Sequence, residues 1–375
     1  MGSRAWVARA VLAAAMAAGA QQGFAAQVVV GQVGPMSGLE ASQGRAYAAG
    51  MQLYFNAVNQ AGGVNGHTFS LVRRDDGGRP EETVALTKAM LAEDKPMVLA
   101  GYFGSKNVAD VAANVLPKER IALVGYRTTE IRPETPGLYS VRADLRDELG
   151  KLTAHLATIG ITRLGLFYEN GPGAAALLAA ADDAAAKAKV SITQKIGYEA
   201  GTAKVTPAVE AFMKAPPQAI LMVSSGAAAA GFIEQYRASG GTAQLFAHSG
   251  ADIEQLAKRL SEEQMQGVAI AQVTPSPYKI STKLAKEFGD LVAKAGNLEV
   301  PVSYSMMEGF IAAKVIVEGV RRQGARPTRD GMAPALDAIA SYDLGGYVVG
   351  YKPNMHSGSR FVELSIISGA GKIRQ

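Results

Sequence analysis

The chain has 375 residues, of which 48% are apolar and 19% are charged, which is enough for two domains with buried cores. It contains no cysteine, so disulfides, thiolate nucleophiles and cysteine-based metal sites are excluded. The formal net charge of +5 is too mild, and the basic residues are too scattered, to indicate a nucleic-acid-binding protein.

The N-terminal residues 1–26 have the pattern of a cleavable signal peptide. Arg4 and Arg9 precede the apolar run Ala10–Ala20, and small residues suitable for cleavage follow it. The run is shorter than the roughly 20 residues that a membrane span requires, and it is apolar all round, unlike an amphipathic helix. We therefore expect a soluble protein that is exported to the periplasm. Loss of the two leader arginines would reduce its formal charge from +5 to +3.

Strands and helices alternate along the rest of the chain. Val28–Val33 is a continuous apolar run typical of a buried parallel strand, and residues 47–58 carry apolar side chains at helical spacing. Phe69–Arg74 is a second strand, and the alternation starts again near Leu164. The sequence therefore predicts an α/β fold with mainly parallel sheets flanked by helices. The last predicted helices and strands are Lys283–Ala295, Ser305–Gln323, Asp330–Ala340, Tyr347–Tyr351 and Phe361–Ile367.

The stretch from Met97 to Thr129 is predicted to form a strand, a short helix and a second strand. Ligands of such sheets lie beyond the carboxyl ends of the strands, so Tyr102–Ser105 and Tyr126–Thr129 are expected to lie side by side. Ser105 follows the first strand at a helix N-terminus, where its hydroxyl, free N–H groups and the helix dipole favour an anion. The alternative is that Ser105 only caps the helix.

Several segments of the chain, in their order and spacing, carry a family resemblance. They are VVVGQVGPMSG, NAVNQAGGVNG, RRDDGGRPEE, LAGYFGSKNVADVAANVLPKERIALVGYRTT, SVRADLRDE, AILMVSSG, MMEGFIAAKVIVEGVRRQG and DLGGYVVGYKPNMHSGSRFVELSII. From Val28 to its C-terminus the chain resembles the type I periplasmic solute-binding proteins, and among them the leucine/isoleucine/valine-binding group of ABC importers. The resemblance implies a two-lobed monomer that binds a small carboxylate-bearing ligand in a cleft and meets membrane permease subunits.

The resemblance also implies where the lobes begin and end. The N-terminal lobe would comprise residues 27–143 and 275–360, and the C-terminal lobe residues 144–274 and 361–375. The three hinge crossings between them would fall near Arg142–Asp144, Val273–Pro275 and Arg360–Phe361.

The family's ligand residues can be transferred to the first lobe position by position. Ser105 and Thr129 match the serine and threonine that hold a ligand carboxylate, whereas Arg127 stands where the family has a small residue. Arg127 could contact the ligand through bidentate bonds to a carboxylate. It could instead pair with Glu130 or Asp144.

The second lobe departs from the family pattern. Gly173 and Ser225 stand where the family has aromatic residues, and Ser249 replaces the acidic residue that pairs with the amino group of an amino acid. An ammonium group in a closed cleft needs an anionic partner. The resemblance therefore implies an organic or aromatic acid rather than an amino acid, and the three small residues suggest a bulkier ligand.

The predicted ligand-binding residues are Ser105, Thr129, Thr128, Arg127, Tyr102, Phe103, Ser225 and Ser249. Of Tyr102 and Phe103, which follow a strand, at least one is expected to form a cleft wall and the other could be core. The four histidines have no metal-binding spacing, so no metal and no cofactor is expected. They are interpreted as structural or solvated, with His248 beside the predicted cleft.

An enzyme is the competing class of function. The chain has no G-x-S-x-G elbow, no G-x-G-x-x-G fingerprint after the first strand and no P-loop, so we predict a binding protein without catalytic activity. A further alternative is a soluble sensing module that presents its ligand-bound form to a separate membrane receptor.

Overall fold

The computed structural model describes residues 26–131, 134–352 and 355–367, together with the backbone of residues 373–374. The predicted signal peptide lies outside the described residues, apart from Ala26. None of the helices in the described part of the chain is both long enough and apolar enough to cross a membrane.

The first sheet has five strands, all parallel. They are β1 (Gln27–Gly34), β2 (Thr68–Asp75), β3 (Val98–Phe103), β4 (Leu123–Arg127) and β5 (Leu138–Tyr139). Their order in the sheet is β2-β1-β3-β4-β5. Because β3 and β4 are neighbours and parallel, the residues that follow them lie at the same edge, as the sequence predicts.

The second sheet is built mainly from the next part of the chain. Its parallel strands are β6 (Arg163–Asn170), β7 (Ser191–Glu199), β8 (Ala219–Val223), β9 (Gln244–Ala247) and β10 (Ala269–Gln272). After a hairpin of β11 (Tyr342–Asp343) and β12 (Val348–Val349), the strands β13 (Glu363–Ile367) and β14 (Ile373–Arg374) join it in antiparallel pairing. The order is β14-β13-β10-β9-β8-β6-β7. The predicted α/β class with mainly parallel sheets is confirmed.

Helices cover both faces of each sheet. Those on the first sheet are α1 (Ala41–Gln60), α2 (Pro80–Glu93), α3 (Ser105–Asn114) and α4 (Leu116–Glu119), and those on the second are α5 (Leu145–Thr158), α6 (Ala174–Ala188), α7 (Thr206–Lys214), α8 (Gly226–Ala238), α9 (Ile253–Arg259) and α10 (Glu262–Met265). The last three, α11 (Lys283–Ala295), α12 (Tyr304–Gln323) and α13 (Arg329–Asp337), return to the first sheet and share a core with α1. We call the first sheet with its helices the first lobe, and the second sheet with its helices the second lobe.

Helices α1 and α12 pack unusually closely because each has a glycine at the contact. A Cβ on Gly50 would overlap the carbonyl oxygen of Met306, and one on Gly309 would overlap that of Tyr47. Small residues let helix backbones approach each other without side-chain interference. The contact fixes the N-terminal end of α12 beside the end of β4, where Ser305 accepts a hydrogen bond from Arg127.

The chain passes between the two lobes three times, after β5, after β10 and before β13. The first and third passages pair through a bridge between Ala143 and Ser359. The Tyr347 hydroxyl lies 2.8 Å from the carbonyl oxygen of Val141 and 3.0 Å from that of Val273, so it joins the first and second passages. The exact lobe boundaries stay a prediction.

The residues around Tyr347 differ from the predicted strand Tyr347–Tyr351, since only Val348 and Val349 pair as a strand. The two tyrosine hydroxyls are used instead to bind backbone carbonyl groups of the passages, Tyr351 that of Ser140 at 2.8 Å. This local role of the side chains is not visible in an apolar alternation pattern.

Candidate functional site

A cleft with a cavity volume of ≈ 370 Å³ lies between the lobes. The carboxyl ends of β3, β4, β6, β8 and β9 all lead to it. Its lining residues are Pro35, Leu39, Glu40, Gln43, Gly77, Gly78, Arg79, Pro80, Phe103, Gly104, Ser105, Lys106, Asn107, Arg127, Thr128, Thr129 and Arg142 from the first part of the chain, and Glu169, Ala200, Gly201, Ser225, His248 and Gly250 from the second lobe.

Ser105 and Thr129 form a buried pair of hydroxyls at the N-terminus of α3. Their oxygen atoms are 2.9 Å apart, and the Thr129 N–H donates to Ser105 Oγ at 3.3 Å. The alternative in which Ser105 only caps the helix is wrong, because Gly104 occupies the cap position and no side chain caps this helix. The pair can therefore donate hydrogen bonds to an anion placed beside the helix end.

Glu169 of the second lobe reaches this hydroxyl pair. The Thr129 hydroxyl donates to Glu169 Oε2, and the Gly201 N–H donates to Glu169 Oε1 at 2.9 Å. Glu169 is the penultimate residue of β6, so its side chain extends from the carboxyl end of that strand across the cleft. Sequence reasoning missed it, although an acidic residue at the end of a strand beside a predicted cleft is a usable signal.

Arg127, the last residue of β4, is buried and its guanidinium contacts groups of the protein itself. It donates to Gln43 Oε1, to Ser305 Oγ at 2.6 Å and to the Ser249 carbonyl at 3.2 Å, lies 3.4 Å from Glu308 Oε2, and stacks over the Phe103 ring at 5.7 Å. These partners differ from Glu130 and Asp144, the two alternatives raised by the sequence. Arg127 thus joins the two lobes with most of its hydrogen-bonding capacity already used.

Ser249 does not line the cleft, contrary to the expectation from the family pattern. Its hydroxyl bonds to Arg142 Nη2 and to Glu148 Oε1 at 3.1 Å, and its N–H donates to Glu148 Oε2 at 2.7 Å. Arg142 also lies 3.2 Å from Glu148 and 3.6 Å from Glu308. The buried arginine of the first passage needs these acceptors, so Ser249 is recruited to the crossing rather than to a ligand.

Two carboxylates that the sequence did not single out do line the cleft. They are Glu169 and Glu40, and no basic side chain of the described residues lies within ion-pair distance of either. Glu40 accepts a hydrogen bond from the Ala227 N–H at 3.2 Å, and burial raises its pKa to about 7. The loss of an acidic residue at Ser249 is therefore no argument against a ligand with an amino group.

Gly173 and Ser225, the two positions where the family has aromatic residues, have different surroundings in the structure. A Cβ on Gly173 would lie 2.8 Å from the Cβ of Glu130, whose carboxylate accepts the Gly173 N–H at 2.9 Å. The expected widening at Gly173 is wrong, because Glu130 fills that space. Ser225 lines the cleft while its hydroxyl caps α8 by accepting the Ala228 N–H at 3.3 Å.

Neighbouring residues of β3 point to opposite faces of the sheet. Tyr102 is fully buried among the residues packed against α2 and α3, with its hydroxyl 3.0 Å from that of Thr87, so it lies in the core and not in the cleft. Phe103 and Thr128 line the cleft. Of the two aromatic candidates, Phe103 is thus the cleft wall.

His248 follows β9 and lines the cleft with 1% of its surface exposed. Within the described residues neither of its ring nitrogens has a hydrogen-bond partner. Burial, and to a lesser extent the charges of Arg142 and Arg127, lower its pKa to about 3, so the imidazole is neutral. Of the two interpretations from the sequence, structural or solvated, the burial of His248 supports the structural one.

No cluster of three or more His, Asp or Glu side chains in the described ranges is arranged to hold a metal ion.

Comparison with known proteins places nearly the whole chain in one family. The model of the family described as periplasmic binding protein matches residues 27–364. The crystal structure of a substrate-binding periplasmic protein from Ralstonia solanacearum is 35% identical, with a TM-score of 0.85 over 93% of this chain and 99% of that one. A possible leucine/isoleucine/valine-binding protein from Rhodopirellula baltica SH 1 is 21% identical, with a TM-score of 0.85 over 95% and 98% of the two chains.

A curated relative matches a shorter part of the chain. An amino acid binding protein of Pseudomonas aeruginosa is 37% identical over 82 residues, which is 22% of this chain and 22% of that protein.

Proposed function

The chain belongs to the periplasmic binding protein family, and we propose that it is the solute-binding component of an ABC importer. The cleft captures a small solute that carries a carboxylate, and the lobes close around it by a hinge motion at the three passages. The closed form is then recognised by the membrane permease subunits. In this proposal the protein is exported through its signal peptide and works in the periplasm as a monomer.

The observation that carries the proposal is the hydroxyl pair of Ser105 and Thr129 at the N-terminus of α3. Both residues line the cavity, and the Thr129 hydroxyl, which is bonded to that of Ser105, donates to a carboxylate, that of Glu169. Two hydroxyl donors and a helix dipole stabilise an anion more than any neutral group. A ligand carboxylate is the group that fits there.

The rest of the ligand can belong to either of two chemical classes. An organic or aromatic acid is the first candidate, because Phe103, Leu39 and two prolines, Pro35 and Pro80, supply an apolar wall of the cleft. An amino acid is the second candidate, because Glu40 and Glu169 line the cavity and can pair with an ammonium group.

A thermal-shift screen followed by calorimetry tests the proposal. The screen compares L-amino acids, aromatic monocarboxylic acids and dicarboxylic acids, each with its amide or alcohol analogue as the matched control. A ligand at 100 times its Kd stabilises the folded protein by about 2.7 kcal/mol. We expect at least one carboxylate to raise the melting temperature while its analogue does not. Equal responses to acid and amide, or no response to any carboxylate, would contradict the proposal.

A further inference from the structure

The proposed function places a ligand carboxylate at the hydroxyls of Ser105 and Thr129, which we call the ligand seat. A carboxylate of the chain itself, that of Glu169, occupies this seat. Glu169 Oε2 accepts the hydrogen bond of Thr129 Oγ1, and Thr129 Oγ1 is 2.9 Å from Ser105 Oγ. Glu169 belongs to the second lobe, whereas both hydroxyls belong to the first. This contact therefore joins the two lobes across the cleft with the same chemistry that a ligand carboxylate would use.

The other helix N-termini at the cleft are met by carboxylates in the same way, each from the opposite lobe. Glu130 accepts from the Gly173 N–H at the start of α6, and Glu40 accepts from the Ala227 N–H in the first turn of α8. At the start of α12, Glu254 accepts the Tyr304 N–H at 2.9 Å and Asp252 accepts the Ser305 hydroxyl at 2.9 Å. The contacts between the lobes at these helix ends are thus made by carboxyl groups of the chain itself.

Of the carboxyl groups between the lobes, only that of Glu169 lies at the proposed ligand seat. Two carboxylates that share one pair of hydroxyl donors repel each other unless they also share a proton. At neutral pH a ligand carboxylate can bind the pair only after Glu169 has left it. Glu169 is half-buried, its other contact is the Gly201 N–H, and no basic side chain of the described residues holds it in place, so it can turn away toward solvent.

We propose that Glu169 is an internal competitor of the ligand, which occupies the Ser105–Thr129 seat and lowers the apparent affinity for carboxylates. The inference rests on the proposed function, since it presumes that the ligand carboxylate uses the same seat. An apparent affinity falls in proportion to the fraction of protein in which the seat is free. Only a ligand that makes additional contacts in the cleft then gains enough binding free energy to displace Glu169.

Calorimetric titration of Glu169→Gln and Glu169→Ala with L-valine, benzoate and succinate tests the inference. A charge-assisted hydrogen bond of this kind corresponds to about ten- to hundredfold in an equilibrium constant. We expect both variants to bind the best of the three probes more tightly than the unmodified protein by that factor. Glu169→Gln should gain less than Glu169→Ala, because its amide still accepts a hydrogen bond from Thr129.

The matched control is Glu199→Ala, a glutamate of the same lobe that is exposed and paired only with Lys204, and its affinities should be unchanged. Unchanged or weaker binding of every probe by the Glu169 variants, with the unmodified protein still binding, would overturn the inference and leave the proposed function standing. Loss of L-valine binding alone would overturn it too, since Glu169 would then hold a ligand ammonium. Binding of no probe by any of the proteins would contradict the proposed function and, with it, the inference.

Discussion

Two hydroxyl groups, those of Ser105 and Thr129, make the contact on which the proposed ligand class depends. Ser105→Ala should weaken the binding of a carboxylate ligand about ten- to hundredfold, because it removes a charge-assisted hydrogen bond worth about 1.5–3 kcal/mol. Calorimetry with the best acid from the screen measures the change. Ser281→Ala, at an exposed loop position, is the control. Unaltered affinity in Ser105→Ala would place the carboxylate elsewhere.

The residue scale also marks the limit of prediction from the sequence. The place of Ser105, Thr129 and Phe103 at the cleft could be predicted, because each lies at or within two residues of the carboxyl end of β3 or β4. The position of Ser249 outside the cleft could not be predicted, because its hydroxyl bonds to Arg142 and Glu148, which are far from it in the chain. Glu169 was missed because its importance comes from its contact with Thr129 across the cleft, which a single sequence does not reveal.

At the scale of elements, the close contact of α1 and α12 holds the first-lobe end of the cleft. Gly309→Ala should destabilise the protein by about 1–3 kcal/mol, because the added Cβ overlaps the Tyr47 carbonyl and forces the helices apart. Gly289→Ala is the matched control, since a Cβ there meets no atom within 4 Å. That control should stabilise its helix by about 0.5–1 kcal/mol. Urea denaturation of the two variants measures the difference, and equal stabilities would contradict the packing argument.

Most helices and strands follow the alternation of apolar segments, which is why the fold class could be predicted. The predicted strand Phe69–Arg74 is β2 with one more residue at each end, and Lys283–Ala295 agrees with α11. β12 lies within the predicted strand Tyr347–Tyr351, whereas β11 and its pairing with β12 were not predicted, because two residues are too few for a periodic pattern. Short elements of this kind are fixed by their tertiary contacts.

At the scale of the whole molecule, the carboxylates between the lobes link stability to pH. Burial raises the pKa of Glu40 to about 7 and that of Glu254 to about 8, and nearby Asp252 adds to both shifts. The folded protein then holds protons that the unfolded chain, with ordinary pKa values near 4.5, releases. Stabilisation from these two groups is complete below about pH 4.5 and is lost as the pH rises through 7 to 8.

The pH dependence of unfolding can be measured by urea denaturation between pH 4.5 and pH 8.5. The double variant Glu40→Gln/Glu254→Gln should show a flatter decline of the free energy of unfolding with pH than the unmodified protein. Glu210→Gln, on the exposed face of α7, is the control and should keep the original slope. If the free energy of unfolding declines with pH at the same rate in the double variant and in the unmodified protein, the two carboxyl groups are not the cause of the pH dependence.

The two-lobed organisation was implied by the family resemblance and not by composition or periodicity. Alternating strands and helices could equally belong to one continuous sheet. The second passage returns α11, α12 and α13 to the first lobe, and the third passage pairs Ser359 with Ala143 across more than 200 residues of sequence. Only a known relative or a structure reveals a contact at that separation.

The most direct test of the account is a crystal structure of the protein with the best acid from the ligand screen. The account predicts ligand density in the cleft, with the carboxylate within hydrogen-bonding distance of Ser105 Oγ and Thr129 Oγ1, and with Glu169 moved off that pair. A ligand bound outside the cleft, or bound within it with its carboxylate away from both hydroxyls, would contradict the account.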